Sequence, residues 1–380
     1  MSVARALPLV LVAGLGFGAT AAFVRRLVPW PEEYGLAAKL RWWDEHADEH
    51  DVVFVGSSRV FRAFDPRAFE AELATQGREL RAFNLGVGGV RPFEMDLILR
   101  AVLEREPKRL RWVLYEGGPM DPRFEPLDDV ESSRMVFWHT PERTRDVLHS
   151  IAVWPIAESD ARQWGEKHPW IAPALDGAGL FEPAWRADLA RRHVQILAWN
   201  VASFGQGRAI LGEVLGEELT ANRRRMLSPE ELDQGRGFVA FEDNADEKDA
   251  ERHRLLVANP AGFAQRVEEV RAGNELLPDV ATLNLPALAA QQALVRAAGA
   301  EMVYVVLPDR LPRPDRRALQ RAGKLDDLFD FNQPDRWPQF FTVESRYDAG
   351  HLSGAGAREF SRALAREFAA LAEAKDARGR

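Results

Sequence analysis

Ser58 is the first candidate for a chemical role, because it stands where a predicted strand turns into a helix. The apolar run Asp51 to Val55 predicts a buried strand that ends in Gly56-Ser57-Ser58, and a helical pattern follows over Arg67 to Thr75. A serine on such a turn has an exposed hydroxyl and an amide near a helix N-terminus, which suits a nucleophile that also binds an oxyanion. Serines are also common there as helix caps, so the tripeptide alone leaves both interpretations open.

Asp348 and His351 form the second candidate group. Three residues apart on a loop, the carboxylate can accept from one imidazole nitrogen and leave the other nitrogen facing a hydroxyl. A capping aspartate next to a surface histidine is the alternative. The occurrence of this pair and Ser58 at opposite ends of one α/β pattern favours a Ser-His-Asp triad.

Composition excludes several other chemistries. The chain has 380 residues, no cysteine and a formal net charge of −8, and it has no basic block long enough to follow a phosphate backbone. Its acidic residues and eight histidines show no metal-ligand spacing, and neither a dinucleotide-binding fingerprint nor a P-loop occurs. We therefore expect no metal, no cofactor and no nucleic-acid partner.

Short apolar runs that end in glycine alternate with helical patterns in the first third of the chain. Leu80 to Leu85 ends in Gly86-Val87-Gly88-Gly89, and Leu110 to Tyr115 ends in Glu116-Gly117-Gly118. This alternation predicts a parallel sheet with helices on both faces. The site is then expected just beyond the carboxyl ends of the strands, where all three glycine-rich turns fall.

The alternation stops over about residues 135–285, which are helical and charged in pattern, and it then resumes. A helix over Pro286 to Ala298 and a strand over Glu301 to Leu307 follow, and Ser353 is a candidate N-cap for the last helix. We predict one α/β domain over residues 29–380 that is interrupted by a helical insertion at about 135–285.

Residues 1–28 are predicted to be a membrane anchor or a signal segment. Ala6 to Val24 carries no charge, and at about 1.5 Å per residue it nearly crosses a hydrocarbon core of about 30 Å. Ala19-Thr20-Ala21 also fits a signal-peptide cleavage site. The basic residues that follow the segment favour a cytoplasmic domain, although long domains translocate with little regard to such charges.

Taken together, the motifs resemble the blocks of the SGNH/GDSL hydrolases in order and position. The resemblance is carried by Gly56-Ser57-Ser58, by Asn84-x-Gly86-x-Gly88-Gly89 and by Asp348-x-x-His351-Leu352. It covers roughly residues 50–125 and 285–372. It implies a flavodoxin-like three-layer parallel sheet, the SGNH hydrolase fold, here with a helical insertion and an N-terminal transmembrane helix.

The resemblance also implies roles for individual residues. Ser58 would be the nucleophile, His351 the general base and Asp348 its orienting partner, and the amides of Ser58 and Gly89 would bind the oxyanion. Ser57 replaces the usual aspartate of the family motif. The Gly-Ser-Ser form with an N-terminal anchor is similar to the branch with the DltD and AlgX/AlgJ-like proteins, which act on envelope or secreted polymers, often beside a membrane-bound O-acyltransferase.

One departure from the family concerns its third block, where an asparagine side chain usually donates to the oxyanion. Here Pro119 stands at or next to that position, and proline has no amide proton. Losing one such donor typically costs about 10²–10³ in rate. Arg59, Arg62 and His139 are the candidates to replace the donor or to face the substrate.

The resulting expectation is a serine esterase or O-acyltransferase at the cytoplasmic membrane, single-pass, with its catalytic domain outside, or secreted after signal cleavage. Its substrates would be an acyl donor and an envelope polysaccharide or small ester, and a membrane-bound O-acyltransferase is an expected partner. One alternative is an inactive SGNH-like accessory protein that binds a glycan or that partner. An unrelated flavodoxin-like ligand binder would require all three motifs to be coincidental.

Overall fold

The computed structural model describes residues 15–23, 35–117, 133–153, 166, 181–202, 227–243 and 245–378. Its centre is a parallel sheet of five strands in the order β2-β1-β3-β4-β5. The strands are β1 Val52–Gly56, β2 Ala82–Gly86, β3 Trp112–Tyr115, β4 Glu301–Val306 and β5 Leu328–Asp330. The sheet confirms the expected parallel α/β architecture, and this strand order is the one that flavodoxin-like sheets have.

Helices alternate with these strands along the chain. They are α1 Leu36–His46, α2 Ser58–Ala63, α3 Pro66–Thr75, α4 Pro92–Leu103, α5 Ser133–Trp138, α6 Pro141–Val153, α7 Phe181–Val201, α8 Pro229–Gly235, α9 Glu247–Ala258, α10 Pro260–Asn274, α11 Leu285–Ala297, α12 Asp315–Arg321 and α13 Gly354–Arg378. Short 3₁₀ turns lie at Ala47–Glu49, Phe241–Asp243, Val280–Thr282 and Pro338–Phe340.

The register of the sheet explains why the glycine-rich turns meet. Gly56 at the end of β1 lies beside Gly86 at the end of β2, and Val55 lies beside Tyr115 of β3. Every residue of these three strands is buried, as expected for parallel strands that helices cover on both faces. The carboxyl ends of β1, β2 and β3 therefore form one edge, and the turns that follow them are neighbours.

The segment before the last helix forms a small hairpin that the sequence did not predict. Strand β6, Arg346–Asp348, pairs antiparallel with β7, His351–Leu352. Helix α13 begins directly afterwards and, as predicted, Ser353 caps it, because its hydroxyl oxygen accepts from the Gly356 amide at 3.2 Å. Phe360, Leu364 and Phe368 of this helix are buried in the hydrophobic core beneath the sheet.

The chain divides into two compact units: residues 1–37 with 122–224, and residues 38–121 with 225–380. The stretch expected as one insertion, 135–285, is thus shared between them. Residues 225–285 group with the sheet, where the Asn84 amide of β2 donates to the Arg236 carbonyl at 2.9 Å. The other unit contains α5, α6 and α7, and its core includes Trp138, Trp185 and Ile196.

Ten of the nineteen residues of the expected membrane segment, Ala6 to Val24, lie outside the described residues. Residues 15–23 of it are helical, and the side chains of Leu15, Phe17 and Phe23 are exposed. Among the helices of the described ranges, none is both long and apolar enough to cross a membrane.

Candidate active site

The nucleophile turn connects β1 to α2 and places Ser58 as the first residue of that helix. Ser57 is the N-cap, with extended backbone angles, and its side-chain oxygen accepts from the Arg59 amide at 3.2 Å. Gly56 has no room for a side chain, because a Cβ there would lie 2.5 Å from a Glu116 carboxylate oxygen. The turn is therefore tight, and it leaves Ser58 half-buried at the carboxyl edge of the sheet.

Ser58, His351 and Asp348 form a continuous hydrogen-bonded chain. Ser58 Oγ lies 2.9 Å from His351 Nε2, and His351 Nδ1 lies 2.9 and 3.0 Å from the two carboxylate oxygens of Asp348. An ionised carboxylate can only accept, so Nδ1 carries the proton and Nε2 accepts from the Ser58 hydroxyl. The structure thus brings the three predicted side chains together with the tautomer that a serine nucleophile requires.

Asp348 is held in its ionised form. Burial alone would raise its pKa, but the hydrogen bond and charge of His351, with the amides of Gly350 and His351, lower the pKa to about 2. Those two amides donate to the same oxygen, Oδ1, at 2.7 and 2.8 Å. The hairpin therefore fixes both the charge and the rotation of the carboxylate that orients the imidazole.

The two predicted oxyanion donors lie on neighbouring turns. Among the residues that the structure describes, none accepts from the Ser58 amide, as is usual in the first turn of a helix. Gly89 lies in the turn after β2 with φ of 69°, a left-handed conformation that glycine adopts without strain. The Val87 amide donates to the Gly56 carbonyl at 3.0 Å and ties the two turns together.

Asn84 holds the helix of the nucleophile against β2. Its side-chain amide donates to the carbonyls of Val60 and Phe64, at 2.9 and 2.6 Å, which are acceptors at the C-terminal end of α2. Its Oδ1 accepts from the Gly86 amide at 2.8 Å. The asparagine of the second motif is therefore a buried residue whose hydrogen bonds hold α2 against β2.

Lys39 of α1 is a buried amine beside the same turn. Its Nζ donates to the Gly86 carbonyl at 2.6 Å and lies 4.1 Å from the centre of the Phe61 ring. The side chain is fully buried, and burial together with the nearby charge of Arg62 holds its pKa well below the ordinary lysine value. Lys39 links α1 to the last residue of β2, just before the turn that carries Gly89.

Arg59, a candidate substrate contact, lies between two carboxylates. Its guanidinium forms ion pairs with Glu116, at 2.7 Å, and with Asp309, and both acids are almost fully buried. Arg313 adds a second ion pair to Asp309 at 2.9 Å. These contacts occupy both terminal nitrogens of Arg59 and direct it towards the interior rather than towards a substrate.

Arg62 lies one helical turn after Ser58, next to two phenylalanine rings whose placement the sequence did not predict. Its guanidinium stacks on Phe61 and Phe241 and donates to the carbonyls of Val239 and Ala240, each at 3.2 Å. Phe241 meets the His351 ring edge-on at 5.1 Å. No local pattern marks Phe241 as a neighbour of the histidine, because it lies 179 positions after Arg62 and 110 positions before His351.

His139 belongs to the other compact unit. It is almost fully buried, its Nδ1 contacts the Met135 carbonyl at 2.8 Å, and its Nε2 lies 2.8 Å from Nδ1 of His193. Burial lowers its pKa to about 4. These contacts make His139 a packed histidine of the helical unit rather than a residue that faces a substrate.

Two further expectations concern a third oxyanion donor and a metal site. Pro119, expected at or next to the position of a third oxyanion donor, lies outside the described residues. Within the described ranges, no group of three or more histidines and acidic residues is arranged to hold a metal ion.

The arrangement can activate a hydroxyl group. His351 can take the Ser58 proton, Asp348 can stabilise the resulting imidazolium, and the amides of Ser58 and Gly89 can receive a developing negative charge. Such a set of groups supports acyl transfer from an ester through a covalent serine intermediate.

No protein-family model matches the chain, and a search of curated proteins finds no match.

Proposed function

We propose that this chain is an SGNH-type serine esterase or O-acyltransferase that acts on an envelope or exported polysaccharide. The observation that carries the proposal is the continuous chain of hydrogen bonds from Asp348 through His351 to the Ser58 hydroxyl. Its position supports the proposal too, because ligands of open parallel sheets bind beyond the carboxyl ends of the strands. The identity of the polymer is proposed from the resemblance of the three sequence motifs.

In the first half-reaction, His351 Nε2 takes the Ser58 proton while Oγ attacks the acyl carbonyl carbon. The carbonyl oxygen becomes an oxyanion that accepts from the amides of Ser58 and Gly89. The carbon–oxygen bond to the leaving alcohol then breaks, and the imidazolium gives its proton to that alcohol. The products are the free alcohol and an acyl-Ser58 ester, with neutral His351 restored.

In the second half-reaction, a hydroxyl group attacks the acyl-serine. His351 takes the proton of this hydroxyl, and the bond from the acyl carbon to Ser58 Oγ breaks as Oγ regains the proton. Water as the acceptor gives hydrolysis, and a sugar hydroxyl gives transfer. Acetyl is the first acyl group to test.

A fluorophosphonate probe tests whether Ser58 is an activated nucleophile. We expect one covalent adduct on the folded protein, mapped by mass spectrometry to Ser58 and not to Ser57, because only Ser58 contacts the imidazole. Denatured protein is the control and should remain unlabelled. An unlabelled folded protein would instead favour the non-catalytic accessory, for which Pro119, at or next to the third donor position, is the supporting observation.

The proposed substrate places the catalytic unit outside the cytoplasmic membrane, with residues 6–24 as its anchor or cleaved signal and a membrane-bound O-acyltransferase as its partner. Fusions to alkaline phosphatase and to a fluorescent protein report on this location. We expect phosphatase activity from the first fusion. Fluorescence without phosphatase activity would show that the basic residues after the segment keep the unit in the cytoplasm.

A further inference from the structure

Glu116 is a buried carboxylate directly behind the nucleophile turn. It follows the last residue of β3, and β3 is the strand beside β1, so it lies next to the Gly56-Ser57-Ser58 turn. Only 4% of its side chain is exposed. A buried carboxylate is costly unless it is paired and hydrogen-bonded, so the groups around it show what it does.

Both oxygens of Glu116 are used on the turn. Oε2 accepts from the Ser57 amide at 2.6 Å, and Oε1 accepts from the Ser57 hydroxyl at 3.0 Å. The Ser57 oxygen in turn accepts from the Arg59 amide. Glu116 therefore binds both the backbone amide and the side-chain hydroxyl of Ser57.

The hydrogen bonds to Ser57 also affect the direction of the Ser58 amide. The ψ angle of Ser57, −165°, sets the plane of the peptide that carries the Ser58 amide. Glu116 holds the Ser57 amide and hydroxyl in place, while the Phe61 amide donates to the Ser57 carbonyl at 3.0 Å and the Arg59 amide donates to the Ser57 hydroxyl, so rotation about ψ of Ser57 would break hydrogen bonds. The direction of the Ser58 amide, the proposed oxyanion donor, is thus fixed before a substrate binds.

A negative charge so close to a developing oxyanion would oppose the reaction if it were not compensated. Arg59 pairs with Glu116 and Asp309, and Arg313 pairs with Asp309, so the four side chains hold two charges of each sign. Burial would raise the pKa of Glu116, but the Arg59 charge and the Ser57 hydrogen bonds lower it. The cluster is therefore ionised and electrically balanced.

We propose that Glu116 is a positioning residue for the reaction, which orients the Ser58 amide through Ser57 while Arg59 neutralises its charge. The catalytic part of this role rests on the proposed function. The sequence pattern of the third motif includes Glu116 but gives no indication of this contact, which depends on the β1–β3 register.

Glu116→Gln tests the role, because it keeps the shape and one acceptor. Its new NH₂ group cannot accept from the Ser57 hydroxyl or from Arg59. We expect kcat and the rate of fluorophosphonate labelling to fall about 10–100-fold while KM changes less than about threefold. Asp330→Asn is the matched control, since Asp330 is also buried at a strand end and pairs with an arginine, Arg317, at 3.1 Å. It should leave kcat unchanged.

Hydrogen exchange of a peptide that covers residues 56–60 gives a readout that does not require activity. We expect about tenfold faster exchange in Glu116→Gln than in wild type, and no such change in Asp330→Asn. Equal exchange in wild type and Glu116→Gln would overturn the positioning role, whether or not the protein hydrolyses esters. Wild-type protein without labelling or hydrolysis would refute the proposed function separately, and with it the catalytic part of the role.

Discussion

Ser58→Ala is expected to reduce hydrolysis of p-nitrophenyl acetate to the background rate, a loss of at least about 10⁴-fold in kcat. Alanine removes the atom that attacks the carbonyl, and loss of a serine nucleophile costs up to about 10⁶ in well-characterised hydrolases. His351 and the backbone amides at positions 58 and 89 remain, but without the hydroxyl no acyl-enzyme can form. Hydrolysis of the ester by purified wild type and variant, followed by absorbance, measures the effect.

The control for Ser58→Ala is a serine outside the triad. Ser345→Ala suits it, because the Ser345 hydroxyl donates to the Thr342 carbonyl at 3.0 Å and Ser345 lies in the chain just before the hairpin that carries Asp348 and His351. This variant should retain wild-type kcat. If Ser58→Ala kept more than about one hundredth of the wild-type rate, the nucleophile would have to be another group.

The sequence was sufficient to predict that Ser58, Asp348 and His351 lie together, because two local patterns converge on one edge of a parallel sheet. Ser58 follows the end of β1, and the Asp348-x-x-His351 spacing allows the carboxylate to reach Nδ1 by itself. Neither inference depends on the exact register of the strands. Both depend on the rule that parallel strands end at the same edge of a sheet, and the alternation of strands with helices already indicates parallel strands.

The positions of the groups around the triad depend on contacts between residues that are far apart in the sequence, and no local pattern indicates such contacts. Arg59 was a candidate to face the substrate, but its partner Asp309 lies 250 residues further along the chain. Phe241 was assigned to the insertion, whereas the structure packs it against His351. Sequence spacing describes neighbours within one element, and these pairs are set by packing between elements.

Short strands were also missed. Strand β5 has three residues, and β7 has two, so neither is long enough to show an alternating or an apolar run. The strands that were predicted, such as β1, differ from their observed bounds by one or two residues at an end. The hairpin of β6 and β7 nevertheless determines how Asp348 meets His351, since its turn supplies the two amides that hold Oδ1.

Asp348→Asn is expected to lower kcat about 10⁴-fold, comparable to the effect of this change in trypsin-like proteases. The amides of Gly350 and His351 both donate to Oδ1, so an asparagine oxygen would remain there. Its NH₂ group would then replace Oδ2, 3.0 Å from His351 Nδ1, and would favour the tautomer in which Nδ1 accepts from this NH₂ group. In that tautomer Nε2 carries the proton and cannot accept the proton of Ser58.

A second readout for this substitution is the dependence of stability on pH. Asp348 has its pKa lowered from 3.8 to about 2, so its contribution is fully present above about pH 4 and is lost as the pH falls through 2. That contribution is roughly 2 kcal/mol of unfolding free energy at neutral pH. Urea unfolding between pH 2 and 5 should therefore show a steeper loss in wild type than in Asp348→Asn.

The two readouts separate a catalytic carboxylate from a merely structural one. Asp330→Asn should lower stability without a change in kcat, because Asp330 pairs with Arg317 at the end of β5 and has no contact with the imidazole. Asp348→Asn should lower both. A variant at 348 with kcat within tenfold of wild type and a lowered stability would mean that Asp348 only holds the hairpin, and that His351 does not need a fixed tautomer to activate Ser58.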